Sequence, residues 1–250
     1  MSADGSKPGL TKSQSELLAF LFEAQHGEIR AALTAWIAAS TRYASFVERY
    51  KDKIRKKLRV TRQAGAVIDL LYELQIPYWL LREQRFEVAY EPYMAGKTRG
   101  PDYSVTFRTN FTFNIEVTHV RGLNRALAAS PAGETSIDLR LVDVLCSKLR
   151  QMLPNMANLL FVVSAPAVLE TLDLPAHMAW ITDKAEHGDA PFYARQHFSN
   201  ASDFFRYYER LAGVVLYDPA GTRQVTLWSN PRARVKLPDP LKNILQRSFG

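Results

Sequence analysis

The chain has 250 residues, 47% of them hydrophobic and 23% charged, an ordinary globular composition that can bury a sizeable core without staples. A single cysteine, Cys146, excludes an internal disulfide and a cysteine-rich zinc site, and fits a reducing cytoplasm. The net charge of +7 carries the sign expected of a protein with a polyanionic partner.

Residues 1–12 are polar and contain glycine and proline, so a disordered tail is expected there. They lack the basic-then-apolar layout of a signal peptide. No apolar run approaches the roughly 20 residues that span a bilayer, so a cytoplasmic protein without membrane contact is expected. Helical spacing begins near residue 13, where Leu17, Leu18, Phe20, Leu21 and Phe22 start the pattern and Ile29, Leu33, Trp36 and Ile37 continue it. A second helical stretch over 45–58 ends in Lys51, Lys53, Arg55, Lys56, Lys57, Arg59 and Arg62. That run is either a solvated helix face or a surface that holds a phosphate backbone. A third helix over 61–74 is expected to stop at Pro77, since proline disfavours helix in the residue before it.

The period then changes from helical to alternating. Phe86, Val88 and Tyr90 predict a strand, followed by alternating runs over 102–107 and 111–120. A loop over 122–133 leads to a helix over 136–153. The run over 158–164 (NLLFVVS) is apolar without alternation, as in a strand buried on both faces. A helix over 201–211, strands over 214–217 and 224–228, and a helix from Pro240 complete the chain. There are no internal repeats and no low-complexity segment. Helix, three strands, helix, strand predicts an α/β sandwich with a mixed sheet. The expected division is a tail over 1–12, a helical region over 13–60 and an α/β domain over 61–250.

The chemistry concentrates in residues 101–120. With Arg108, Thr109 and Asn110 as the turn, position 102 lies opposite 116, 104 opposite 114 and 106 opposite 112. One face then carries Tyr103, Val105, Phe107, Phe113, Ile115 and Val117, and the other carries Asp102, Ser104, Asn114, Glu116 and Thr118. Opposed residues of an antiparallel pair stand roughly 5 Å apart at Cβ, where two carboxylates repel unless a cation lies between them. Hard oxygen ligands at this spacing suit Mg²⁺ or Mn²⁺; an exposed polar face whose acids merely align is the competing reading. On the helix that follows, Lys148 falls inside the apolar arc of Ile137, Leu141 and Val144, with Gln151 on its edge. A lysine there either has an anionic partner or snorkels to solvent.

Pro101-Asp102 followed by Ile115-Glu116-Val117-Thr118 resembles the signature of the PD-(D/E)XK nuclease superfamily. The resemblance covers roughly residues 61–165. It implies a restriction-endonuclease-like α-β-β-β-α-β core, with the N-terminal helices as an extension. It also implies a Mg²⁺ (or Mn²⁺) bound by Asp102, Glu116 and the carbonyl of Val117. Thr118 stands where the family places a lysine, and Lys148 with Gln151 is similar to the variant that moves this lysine to the next helix. A third acid is expected from Asp69, Glu73 or Glu87. The reading that follows is a metal-dependent nuclease acting on nucleic acid, DNA before RNA, with a homodimer among the expected arrangements. The alternative is a degenerate module that binds nucleic acid or protein without cutting. Of the remaining signals, His119 reads as a packed histidine, and Phe204, Phe205, Tyr207 and Tyr208 read as packing before base stacking.

Overall fold

The computed structural model describes residues 10–22, 27–93, 100–121, 137–221 and 225–248, and the chain divides into two compact units, Met1–Val88 and Ala89–Gly250. The expected disordered tail, apart from residues 10–12, and the loop expected over 122–133 lie outside the described residues.

The first unit is helical, with α1 (Lys12–Leu21), α2 (Gly27–Ala39), α3 (Thr41–Val60) and α4 (Ala64–Leu80). Thr11 opens α1 with a capping box, its hydroxyl accepting from Gln14 N while the Gln14 side chain accepts from Thr11 N. Ile29, Leu33 and Ile37, one turn apart on α2, are fully buried. Helix α3 is longer than its apolar spacing suggested. It starts at Thr41, capped by Ser40, and its backbone departs from helical angles at Tyr50 (φ −110°, ψ 15°).

Helix α4 does not stop before Pro77; it runs through to Leu80. Proline removes one donor, so the carbonyl of Glu73 loses its helical partner, and the expected cost is about 3 kcal/mol. Burial outweighs that cost here. Leu74, Ile76 and Leu80 are fully buried, Tyr78 stacks on Trp36 at 5.5 Å, and the Tyr43 hydroxyl donates to Leu74 O at 2.9 Å. Just past the helix end, the Arg42 guanidinium donates to the carbonyls of Leu81, Glu83 and Phe86, which fixes the chain as it enters the next strand. Helix α4, read from sequence as the start of the α/β domain, packs on α2 and α3 within this unit.

The strands form one mixed sheet in the order β1 (Phe86–Tyr90), β2 (Tyr103–Phe107), β3 (Phe111–His119), β4 (Ala157–Val163), β5 (Leu211–Tyr217) and β6 (Thr226–Ser229). The β2–β3 and β5–β6 pairs are antiparallel, and β3–β4 and β4–β5 are parallel. Every residue of β4 and β5 is buried, which is why their sequences show no alternation. Gly213 lets β5 approach β6 closely, since a Cβ there would stand 2.6 Å from Trp228 O.

Helices α5 (Leu139–Leu149), α6 (Pro166–Glu170), α7 (Leu174–Glu186), α8 (Ala190–Gln196) and α9 (Ala201–Tyr208) supply the second unit's core, and α10 (Asp239–Ser248) ends the described chain. Leu141, Leu145 and Leu149 of α5 join Leu160 and Val162 of β4, Val214 and Leu216 of β5, and Phe204 and Tyr208 of α9. Helix α5 is tied down at its start and along its length. At its start, His177 Nε2 accepts from Asp138 N at 2.9 Å, while His177 Nδ1 lies 2.6 Å from Asp173 O. Along its length, Arg195 Nε and Nη2 and Gln196 Nε2 of α8 all donate to the Asp143 carboxylate at 2.6–2.7 Å.

Cys146 is buried on this helix, and burial, with a smaller contribution from Asp143, pushes its thiol well above the usual value. The thiolate is the reactive form. Cys146 is therefore expected to ignore a thiol-specific disulfide reagent in the native protein and to react fully in denaturant. Reaction at comparable rates in both conditions would show that the α5 core opens readily.

Candidate metal and acid–lysine site

The site is built on the β2–β3 hairpin. Its turn places two non-glycine residues in the left-handed region, Arg108 (φ 50°) and Thr109 (φ 66°). That conformation is uncommon outside glycine and asparagine, and it sets which residues face each other across the hairpin. The observed pairs are Tyr103 with Ile115, Ser104 with Asn114, Val105 with Phe113, and Thr106 with Thr112. This is the register read from the alternating pattern. Continued by one step, it sets Asp102 opposite Glu116. An independent contact agrees, since Val117 N donates to Asp102 Oδ2 at 2.8 Å.

Both faces follow the expected division. Tyr103, Val105, Phe113 and Ile115 are buried on the apolar side. The polar side differs in one respect: it is not exposed at the β3 end. Asp102 is 5% exposed, Glu116 2% and Asn114 fully buried. The cause is the parallel partner. Glu116 pairs with Leu160 and Thr118 with Val162, and those β4 residues belong to the face covered by α5. The acids therefore lie under the same helix that closes the apolar core.

Lys148 comes from that helix. Its Nζ donates to Glu116 Oε1 at 2.6 Å, with side-chain exposures of 18% for the lysine and 2% for the glutamate. Of the two readings left open by the helical wheel, the anionic partner is the one observed. Gln151 follows in the turn after α5, with its backbone N donating to Lys148 O at 3.1 Å. Its Oε1 is buried without a hydrogen-bond partner among the described residues, and no hydrogen bond there joins it to either acid. Thr118 is half-buried on the face of Glu116.

The remaining candidates lie in the first unit. Glu73 is paired with Lys57 at 2.5 Å, and Asp69 and Glu87 are exposed. Along α3, Lys51 pairs with Glu48 at 2.6 Å and Arg55 lies over the Phe20 ring at 4.4 Å. Lys56, Arg59 and Arg62 are exposed, and Lys53 is half-buried over Tyr50. His119 is half-buried rather than in the core.

A buried polar knot beside the acids was not read from sequence. Asn114 Nδ2 donates to Asn158 Oδ1 at 3.1 Å, and Tyr93 OH donates to Asn114 Oδ1 at 2.9 Å. Asn158 Nδ2 lies 2.9–3.0 Å from the carbonyls of Leu153, Met156 and Arg210, so this one residue ties β4 to the α5 exit and to the end of α9. The available signal was an asparagine opening an otherwise apolar strand. Such a residue survives burial only if its amide is satisfied.

The chain matches no protein-family model, no curated protein and no solved structure. The site's donor set is two carboxylates, both hard oxygen ligands. Among the described residues no group of three or more His, Cys, Asp or Glu side chains is placed to hold a metal. Two acids are compatible with Mg²⁺, which commonly takes one or two carboxylates and fills its other positions with water and substrate phosphate.

Removing one partner of a buried ion pair leaves the other charge stranded, at a cost of about 3–5 kcal/mol. Lys148→Met is expected to destabilise the protein by about 3 kcal/mol in urea titrations, and Lys148→Met combined with Glu116→Gln to recover most of that. A loss below about 1 kcal/mol in the single variant would mean that the pair behaves as a surface contact.

Proposed function

We propose that the chain is a metal-dependent nuclease of the PD-(D/E)XK type that hydrolyses phosphodiester bonds, with DNA as the substrate. The observation that carries this reading is the Lys148–Glu116 contact. A lysine on the helix after the hairpin reaches the second acid of the pair and supplies there the positive charge that Thr118 cannot. The element order α4-β1-β2-β3-α5-β4 and the mixed sheet support a restriction-endonuclease-like core.

In this reading Asp102 and Glu116 would hold Mg²⁺ or Mn²⁺, with the carbonyl of Val117 as a further oxygen donor. A bound divalent cation contributes Lewis-acid polarisation of the phosphate and a lowered pKa for its water. The chain's own groups do the rest. Asp102 is oriented by the Val117 amide, so its carboxylate does not have to reorganise as charge develops. The Lys148 ammonium offsets negative charge at the acids. The Gln151 amide, next along the chain from the α5 end, is available to position water or a phosphate oxygen by hydrogen bonding.

One observation favours a second reading. The Lys148–Glu116 pair already neutralises one buried acid without a metal, as a structural ion pair in a non-cleaving module would. Cleavage decides between the two. Mixed DNA and RNA substrates with Mg²⁺ or Mn²⁺ should be cut by the wild type. The rate should fall by roughly 100-fold or more in Asp102→Asn, in Glu116→Gln and in Lys148→Met. Cleavage that persists in both acid variants would discard this site. A wild type that cuts nothing but binds DNA in a salt-dependent way would favour the binding module.

A further inference from the structure

A cluster of arginines at the exits of α5 and α9 has no role in the acid–lysine site. Three guanidinium groups lie over the ring of Tyr207: Arg210 at 4.7 Å, Arg206 at 4.9 Å and Arg150 at 5.9 Å from its centroid. Arg150 also lies over Phe198 at 4.8 Å. Arg150 and Arg206 are exposed, and Arg210 is half-buried. The opposing charge is Asp203, paired with Arg206 at 2.5 Å. Among the described residues Arg150 and Arg210 make no ion pair; each instead donates to a carbonyl, Arg150 to His197 O and Arg210 to Met152 O. Each guanidinium carries five N–H donors, and these contacts leave most of them available.

The cluster is connected to the acid face through few atoms. The carbonyl of Arg210 accepts from Asn158, and Asn158 accepts from Asn114, which stands two residues before Glu116 on the same face of β3. Two residues along a strand span about 6.6 Å. Arg150 follows Lys148 by two positions, at the same end of α5.

We propose that Arg150, Arg206 and Arg210 form the surface that holds the phosphate backbone of duplex DNA beside the acid–lysine site. The choice of DNA rests on the nuclease reading above; the phosphate chemistry rests on the cluster. Three guanidinium groups against one carboxylate leave a local positive excess, and arginine's planar fork matches phosphate oxygens. Tyr207 determines what kind of contact this is. Its ring is already engaged by the protein's own groups, three guanidinium groups over it and Phe198 at 6.2 Å, rather than standing clear as a stacking platform for a base. Single-strand binders depend on such stacking. Contacts made here go to phosphates, which position a duplex without reading its sequence.

The test is a salt titration of binding to a labelled, mixed-sequence DNA duplex by fluorescence anisotropy, using the full chain with chelator present so that nothing is cut. Each phosphate contact contributes about 0.9 to the slope of log affinity against log salt. Arg150→Gln is expected to shallow that slope by about 0.9, and the triple variant with Arg206→Gln and Arg210→Gln by about 2.7. Asp203→Asn is expected to tighten binding, a gain that damage to the fold would not produce. It also keeps the test open if the triple variant fails to fold. The α3 variant Lys53→Gln/Lys56→Gln/Arg59→Gln is expected to leave the slope unchanged. An unchanged slope in the arginine variants, or a slope lost in the α3 variant instead, overturns the proposal. If metal-dependent cleavage that needs Asp102 accompanies that result, the nuclease reading stands without this surface. Binding lost through the arginines in a protein that never cuts would keep the surface and remove the nuclease.

Discussion

The register of the β2–β3 hairpin is the constraint on which the candidate site depends. Side chains alternate along a strand, so a slip of one residue would send Asp102 and Glu116 to the opposite face and bring Tyr103 and Ile115 under α5. Two features hold the register. The left-handed turn at Arg108 and Thr109 fixes the hairpin at one end, and the Val117 amide on the Asp102 carboxylate fixes it at the other. The aromatic and branched residues of the apolar face would lose their burial in any other alignment.

That register puts two kinds of surface on one sheet face. Over β4 and β5 the face is apolar and packs against α5, α7 and α9; over β2 and β3 it is polar, with Asp102, Asn114 and Glu116. Helix α5 crosses from one to the other. Its leucines complete the core, and Lys148 meets the acids. A carboxylate with 2% of its surface exposed needs compensation, and the lysine contact at 2.6 Å supplies it. Asn114 and Asn158 solve the same problem without charge, through a chain of amide and carbonyl contacts. The Lys148–Glu116 pair and the Asn114–Asn158 amides thus give the border between core and candidate site a defined geometry.

Much of this was legible in the sequence where one physical rule dominated. Alternation gave the β2–β3 register residue by residue, and the unbroken apolar run gave β4. The helical arc around Ile137, Leu141 and Val144 placed Lys148 on the buried side of α5. Reading failed where rules competed. Pro77 reads as a stop, yet the burial of Ile76 and Leu80 and the stacking of Tyr78 carry α4 through it. Helices α6, α7 and α8 were not read, although Asp173-Leu174-Pro175 and Asp189-Ala190-Pro191 each carry an N-cap acid followed by a proline in the first turn. Helices α6 and α8, of 5 and 7 residues, are too short to establish a period, whereas Leu174, Met178, Ile181 and Ala185 of α7 stand at helical spacing and were passed over. The burial of the acid face was not legible either, because it comes from the parallel pairing of β3 with β4, a contact between segments 40 residues or more apart in sequence.

Helix α5 has a consequence for how this face responds to change elsewhere. It is a rod of 11 residues, about 16 Å long, with His177 holding its first turn and Lys148 in its last. Only an imidazole with a bare Nε2 can accept the Asp138 amide, so the helix start depends on the tautomer of a residue in another helix. A helix is stiff along its axis, so the placement of its start bears on the placement of its last turn. The aim of the ammonium at Glu116 is therefore set in part by a histidine that never touches the acids.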